Sequence, residues 1–226
     1  MTSANLSRHP RPQAVLFDLD GTLVDSAPDF YTVVNSLRAE DGLPALPHPA
    51  IREQVSNGGM ALARLTWNLT AEHPQLADYR LRLLARYSEH IGSASGLFPG
   101  FAQTLHGLQQ AGIQWGIVTN KPRPYTEPLL QRLGIEAAVV VCPDDVSQPK
   151  PHPEPLFKAA ADLNLEASQC WYVGDHIRDI DAARAAGMPS VVALFGYVEA
   201  GDDPQQWQAD YSINQPQDLL HLLALN

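Results

Sequence analysis

Basic residues are scarce in this chain, and none of them form a run. There are 15 Lys and Arg against 25 Asp and Glu in 226 residues, a formal charge of −10 with histidine neutral. That balance argues against nucleic acid as a partner, because phosphate backbones are held by clustered Lys and Arg. It does not bar a small anionic substrate, since a bound divalent cation and one or two lysines can invert the field locally. Cysteine is scarcer still: Cys142 and Cys170 alone occur, each in apolar, strand-like surroundings. Two such thiols read as buried and free, not as a disulfide or a metal pair. No apolar run approaches the ~18 residues of a membrane-spanning helix, and Met1–Pro12 lacks the apolar centre of a signal peptide. The expected setting is cytoplasmic, with no membrane partner.

What is present is an ordinary globular composition, 45% hydrophobic and 18% charged, long enough for one sizeable core plus a smaller unit. Within it Ala14-Val-Leu-Phe-Asp-Leu-Asp-Gly-Thr-Leu-Val24 stands out: a short apolar run that ends in two carboxylates one residue apart, then glycine. A buried strand that delivers Asp18 and Asp20 to its carboxyl end builds a site, because bare carboxylates are costly to bury unless paired or metal-bound. Strand carboxyl ends are where open α/β sheets bind ligands. Two acids on such an edge can divide the labour, one attacking and the other moving protons. A calcium loop also uses Asp-x-Asp-Gly. Counted from Asp18, however, its third acidic slot would hold Thr22 and its twelfth Asp29, and a strand precedes the loop where a helix belongs.

The periodicity then changes twice. Phe30, Val33, Val34 and Leu37 fall at helical spacing, with Asp29 after Pro28 at the start. Pro-rich residues 43–49 interrupt it. Short helices follow around Ile51–Val55 and Met60–Leu69, and Leu76, Tyr79, Leu83, Leu84, Tyr87 and Ile91 mark a longer one. Gly92-Ser-Ala-Ser-Gly96 reads as a flexible hinge. From Pro99 onward helices and strands alternate, with strands at Ile113–Thr119, Ala138–Cys142, Cys170–Gly174 and Ser190–Phe195 and helices closed by Gly112, Gly134 and Gly187. Residues Leu156–Leu163 and Asp218–Leu223 supply two further helices. Such alternation implies a doubly wound parallel α/β sheet with helices on both faces. The expected division is a core of residues 1–24 plus 97–226 and an inserted all-helical cap of residues 25–96.

The other strand ends carry chemistry too. Thr119 and the backbone N–H groups after it suit phosphoryl oxygens. Lys150 is fixed between Pro149 and Pro151 in a stretch of four prolines that runs to Pro155. Asp175 and Asp179 lie four apart at another strand end; taken alone they read as helix capping, worth about 1 kcal/mol. Together, however, Asp18, Asp20, Thr119, Lys150, Asp175 and Asp179 put several carboxylates, a hydroxyl and an ammonium at one edge. Converging carboxylates repel without a cation, and hard oxygen ligands in a partly open site suit Mg²⁺. The set matches phosphoryl transfer, where stabilising charge on the equatorial oxygens dominates.

Asp18-Leu-Asp-Gly-Thr-Leu-Val-Asp25, Val118-Thr-Asn120, Lys150-Pro-His-Pro153 and Gly174-Asp-His-Ile-Arg-Asp179 resemble, in order, the four motifs of the haloacid dehalogenase superfamily. The helical insert after the first motif resembles that family's first type of cap. Within the superfamily, Asn57-Gly58, Pro99-Gly100, Thr119-Asn-Lys121 and Gly196-Tyr197 are similar to phosphoglycolate phosphatases. Val141-Cys-Pro-Asp-Asp-Val146 resembles a sister group, the N-acetylmuramic acid 6-phosphate phosphatases, and His176 stands where the former usually have Ser. The resemblance implies a phosphomonoester hydrolase working through an aspartyl-phosphate. Asp18 would be the nucleophile and Asp20 the proton donor and acceptor. Mg²⁺ would be held by Asp18, the Asp20 carbonyl and Asp175, with Asp179 on the metal or just behind it. Thr119 and Asn120 would hold phosphoryl oxygens, and Lys150 would offset the charge.

Selectivity falls to the cap, where Ser56-Asn57-Gly58-Gly59 forms a turn that lets N–H groups approach a ligand. Arg64, one helical turn on, suits a substrate carboxylate if it faces the core and is equally suited to a surface position with its stem laid over apolar neighbours. The expected partner is a small carboxylate-bearing phosphomonoester, for a monomer or homodimer. A phosphosugar mutase would share the core residues and differ in the cap. A receiver-like signalling module would use a similar acidic cluster without a cap or the second acid.

Overall fold

The structure, a computed structural model, describes residues 9–225. The described residues lead into β1 (Ala14–Phe17), whose four apolar residues are fully buried because helices cover the sheet on both faces. After it come β2 (Val24–Asp25), then α1 (Ala27–Glu40), α2 (His48–Val55), α3 (Gly58–Trp67) and α4 (Leu76–His90). β3 (Gly96–Leu97) pairs antiparallel with β2, so both crossings between the sheet and the helical insert run side by side. α5 (Phe101–Gln110), β4 (Gln114–Val118), α6 (Arg123–Leu133), β5 (Val140–Val141), α7 (Glu154–Asp162), β6 (Cys170–Gly174), α8 (Ile177–Ala186), β7 (Ser190–Ala193), β8 (Tyr211–Ile213) and α9 (Asp218–Leu222) complete the chain.

Six strands form one sheet in the order β5-β4-β1-β6-β7-β8, every neighbour parallel. β1 sits at its centre, and Phe17 is level with both Ile117 and Val173. That register places the residues just beyond β1, β4 and β6 at one edge. It is the topological reason that Asp18, Thr119 and Asp175 are neighbours although more than a hundred residues separate the first from the second. Cys142 and Cys170 are buried and free. No helix among the described residues is long and apolar enough to cross a membrane.

In the helical insert Phe30 of α1 stacks on Tyr87 of α4, centroids 4.3 Å apart. Arg38 is almost wholly buried and donates to the Pro44 and Thr66 carbonyls, stitching α1 to the loop after it and to α3. Two features depart from the sequence expectations. β8 and the β2–β3 pair were not expected, since strands of two or three residues carry no readable alternation. The segment Gly92–Gly96, expected as a flexible hinge, is instead tied to one buried carboxylate. Asp29 accepts hydrogen bonds from the backbone of Gly92 (2.6 Å), Ala94 (2.7 Å) and Ser95 (3.1 Å) and from the hydroxyls of Ser93 and Ser95. α1 itself starts at Ala27, which frees Asp29 for that task. Charged hydrogen bonds are worth about 1.5–3 kcal/mol each, and the partly exposed 92–95 segment recovers part of each from water once the carboxylate is gone. Asp29→Ala is therefore expected to lower unfolding free energy by about 3 kcal/mol in a denaturant titration; a loss below about 0.5 kcal/mol would mean the anchor is dispensable.

Candidate active site

Asp18 leaves β1 with its Oδ1 held by the backbone N–H of Leu19 (2.7 Å) and by the Lys150 ammonium (2.9 Å). Burial pushes its carboxyl up to about 6; the Lys150 charge opposes this and Asp179 reinforces it. Lys150 lies on the cis Lys150–Pro151 segment and is 3% exposed, so its charge needs partners. It finds them in Asp179 Oδ1 (2.8 Å), the Val118 carbonyl (2.9 Å) and the Tyr172 hydroxyl (2.7 Å) as well as Asp18. Burial disfavours the ammonium, but Asp179 and Asp18 outweigh it and hold its pKa above the ordinary lysine value.

Asp175 and Asp179 are fully buried. Asp175 accepts from the Thr22 hydroxyl (2.9 Å) and the Tyr197 N–H (2.8 Å), yet desolvation, then the charges of Asp18 and Asp179, push it up to about 8. The backbone is shaped to admit it. At Gly21 (φ +83°) a Cβ would fall 2.2 Å from Asp175 Oδ2, and at Gly196 one would fall 2.2 Å from Asp175 Cβ. Asp179 caps α8, its Oδ2 accepting from the His176 N–H while His176 Nδ1 accepts from the Arg178 N–H. Oxygens of Asp18, Asp175 and Asp179 all lie within 4.8 Å of one another. Three carboxyl groups share one ammonium, so a hard divalent cation would be needed for all three to be ionised together.

Asp20 stands apart from that cluster. Its carboxylate takes the Ser26 hydroxyl and the Lys121 ammonium, at 3.1 and 3.3 Å from its two oxygens. The expectation of Asp20 as a metal residue therefore rests on its backbone carbonyl alone. Lys121 is 9% exposed, lies 4.8 Å from the centroid of the Tyr87 ring, and is held charged by Asp20 and Tyr87 against the cost of burial. Sequence reasoning passed over Lys121 as a functional residue. The available signal was that a second acid beside a nucleophile needs its own counter-charge.

Asp18, Asp20, Thr119, Asn120, Lys150, Asn57 and Gly58 all line one cavity of about 260 Å³ between the sheet edge and the helical insert. Asn120 also braces the lysine loop: its Nδ2 donates to the Lys150 carbonyl (2.8 Å) and its Oδ1 accepts from the Lys150 N–H (3.1 Å), with the second Nδ2 hydrogen left over at the cavity. One expectation changes. Arg64 is exposed on α3 and does not line the cavity. Leu62, Ala63 and Thr66 take the buried face of that helix, which turns position 64 to solvent. The guanidinium groups that do line the cavity are Arg80, from α4, and Arg178, from α8.

A parallel sheet with a cluster of carboxyl groups at its edge and a helical insert after β1 defines a class. Residues 15–193 match the family model of haloacid dehalogenase-like hydrolases. The chain belongs to that family. It is 45% identical to a phosphoglycolate phosphatase of Xanthomonas campestris over 92% of this chain and 95% of that one. It is 39% identical to an N-acetylmuramic acid 6-phosphate phosphatase of Pseudomonas aeruginosa over 94% and 95%. A predicted phosphoglycolate phosphatase from Haemophilus somnus has the same fold, with a TM-score of 0.81, 27% identity, and 93% and 97% of the two chains covered.

Proposed function

We propose that the protein is a Mg²⁺-dependent phosphomonoester hydrolase of the phosphoglycolate phosphatase type, acting through an aspartyl-phosphate on Asp18. The observation that carries this reading is the division between two acids at one cavity: Asp18 on Lys150, Asp20 on Lys121. Mg²⁺ would be held by Asp18, Asp175 and the Asp20 carbonyl, with Asp179 beside it, and when bound it supplies charge neutralisation at the transferring phosphoryl group.

The chain's own groups do the rest. Asp18 is fixed by the Leu19 N–H and Lys150, so its carboxylate is aimed before substrate arrives. Asp18 attacks phosphorus and the ester oxygen departs with a proton from Asp20. Lys121 and the Ser26 hydroxyl hold the Asp20 carboxyl group in place at the cavity. Asp20 then takes a proton from the water that cleaves the aspartyl-phosphate. Thr119, whose Oγ1 accepts from the Lys121 N–H, has its own hydroxyl hydrogen for a phosphoryl oxygen.

The cavity volume is below the roughly 300–1,000 Å³ of sites for drug-sized ligands, which favours a short leaving group such as glycolate. An N-acetylmuramic acid 6-phosphate substrate is the second reading, supported by the Pseudomonas relative. The Val141–Val146 segment itself does not line the cavity: Asp145 there pairs with Arg123 and caps the turn through the Cys142 N–H. A panel of phosphomonoesters with Mg²⁺, followed by phosphate release, is expected to rank 2-phosphoglycolate first. Acidic esters should exceed neutral sugar phosphates by at least about tenfold in kcat/KM. If glucose 6-phosphate or a nucleotide heads the panel, the substrate assignment is wrong.

A further inference from the structure

Two arginines, Arg80 and Arg178, line the active-site cavity, and neither sits in an ion pair among the described residues, whereas Arg82, Arg86, Arg123 and Arg184 do. They come from opposite sides of it, Arg80 from α4 of the helical insert and Arg178 from α8 of the sheet layer.

Arg178 is already held in place. Its Nε donates to His176 Nδ1 (3.1 Å) and its Nη1 to the Ser56 carbonyl (2.7 Å) across the gap. Its Nη2 lies 2.8 Å from His176 Nε2 and 3.4 Å from Asn57 Oδ1. A guanidinium has five N–H groups, and the second hydrogen on Arg178 Nη1 has no partner among the described residues. A second observation points the same way. Among the described residues, two of the three buried polar side-chain atoms without a hydrogen bond, Tyr87 Oη and Ser56 Oγ, belong to residues lining this cavity. Tyr87 is 1% exposed; the Lys121 charge acts on its hydroxyl, which makes no hydrogen bond inside the fold and keeps its hydrogen for a ligand.

We propose that Arg178 and Arg80, with the Tyr87 hydroxyl, form the subsite that reads a carboxylate on the leaving group. It rests on the phosphomonoesterase reading above and moves the recognition of the acid from Arg64 to this pair. Guanidinium groups suit a planar carboxylate because they bind it through two parallel N–H groups. With one arginine on each layer, the same carboxylate that is recognised also draws the insert onto the sheet edge, so selectivity and closure become one event.

The test compares 2-phosphoglycolate with 2-hydroxyethyl phosphate, which has the same carbon count and no carboxylate. Wild type should favour the acid by at least about tenfold in kcat/KM. Arg178→Lys, which keeps charge but loses the fork, and Arg80→Leu should each cut that ratio about tenfold or more. Tyr87→Phe should raise KM for 2-phosphoglycolate severalfold while leaving KM for 2-hydroxyethyl phosphate within about twofold of wild type. A ratio within twofold of wild type in both arginine variants, or a wild-type enzyme indifferent to the carboxylate, overturns the subsite. If no ester is hydrolysed at all, the phosphatase reading fails instead. Titration of 2-phosphoglycolate into Asp18→Asn protein, with and without Arg178→Lys, then still decides the subsite: a Kd weakened tenfold supports it and an equal Kd overturns it.

Discussion

Asp18→Asn is expected to abolish turnover, a fall of at least about 10⁴-fold in kcat, while the protein stays folded. The substitution is nearly isosteric, so the Leu19 N–H and Lys150 neighbourhood still closes around it. What changes is that an amide oxygen is no nucleophile toward phosphorus. Stability gives a second check. Asp18 is pushed up to about 6 chiefly by burial, with Asp179 adding repulsion, so losing its charge removes an unfavourable term. A Tm equal to or above wild type in metal-free buffer is expected, which separates lost chemistry from lost fold. Asp20→Asn should cost less, at least about 10²-fold, because it removes proton transfer and leaves the attack possible. Near-native rates in Asp18→Asn would sink the mechanism; equal losses in both variants with a collapsed Tm would reduce both to structural residues.

The residues at the sheet edge were legible for one reason. A parallel sheet forces strand carboxyl ends together, so Asp18, Thr119 and Asp175 needed only strand assignments, not contacts, to be gathered. Lys150 was legible through its flanking prolines. Arg64 shows where that logic stops: helical spacing says which residues share a face but not which face meets the core when Leu62, Ala63, Leu65 and Thr66 surround the position. Arg178 was hidden inside a stretch read for its aspartates, and Arg80 in a helix read for its leucines. Asn120 and Asp29 are the same lesson in polar form. A carboxylate or amide at a motif or helix start has several partners in reach, and only the folded chain shows that one holds the Lys150 loop and the other the 92–95 segment. Two-residue strands such as β2 and β3 leave no period to detect.

Removing divalent metal is expected to abolish activity, and the metal's effect on stability should grow with pH. The cluster explains both. In the metal-free protein Asp175 is raised to about 8 and Asp18 to about 6, each by burial first and neighbouring carboxylates after. For an acid whose folded pKa lies above its unfolded value, the fold prefers the protonated form. Its stabilisation is complete below the unfolded pKa of about 4 and is lost as pH rises through the folded value. The metal-free protein should therefore lose stability from these two groups across roughly pH 4 to 8. Mg²⁺ binds the ionised carboxylates and must displace those protons, so its affinity should rise over the upper part of the same window. At about a hundredfold excess over Kd it contributes about 2.7 kcal/mol, roughly 5–10 °C in Tm for a chain of this length. The measurement is Tm with Mg²⁺ minus Tm in chelator at pH 5.5, 7 and 8.5, which cancels every titrating group outside the site. A difference that increases with pH, alongside activity lost in chelator and restored by Mg²⁺, is the expected result. A difference flat in pH would show that the metal does not sit on Asp18 and Asp175, and full activity in excess chelator would show that the chemistry needs no metal.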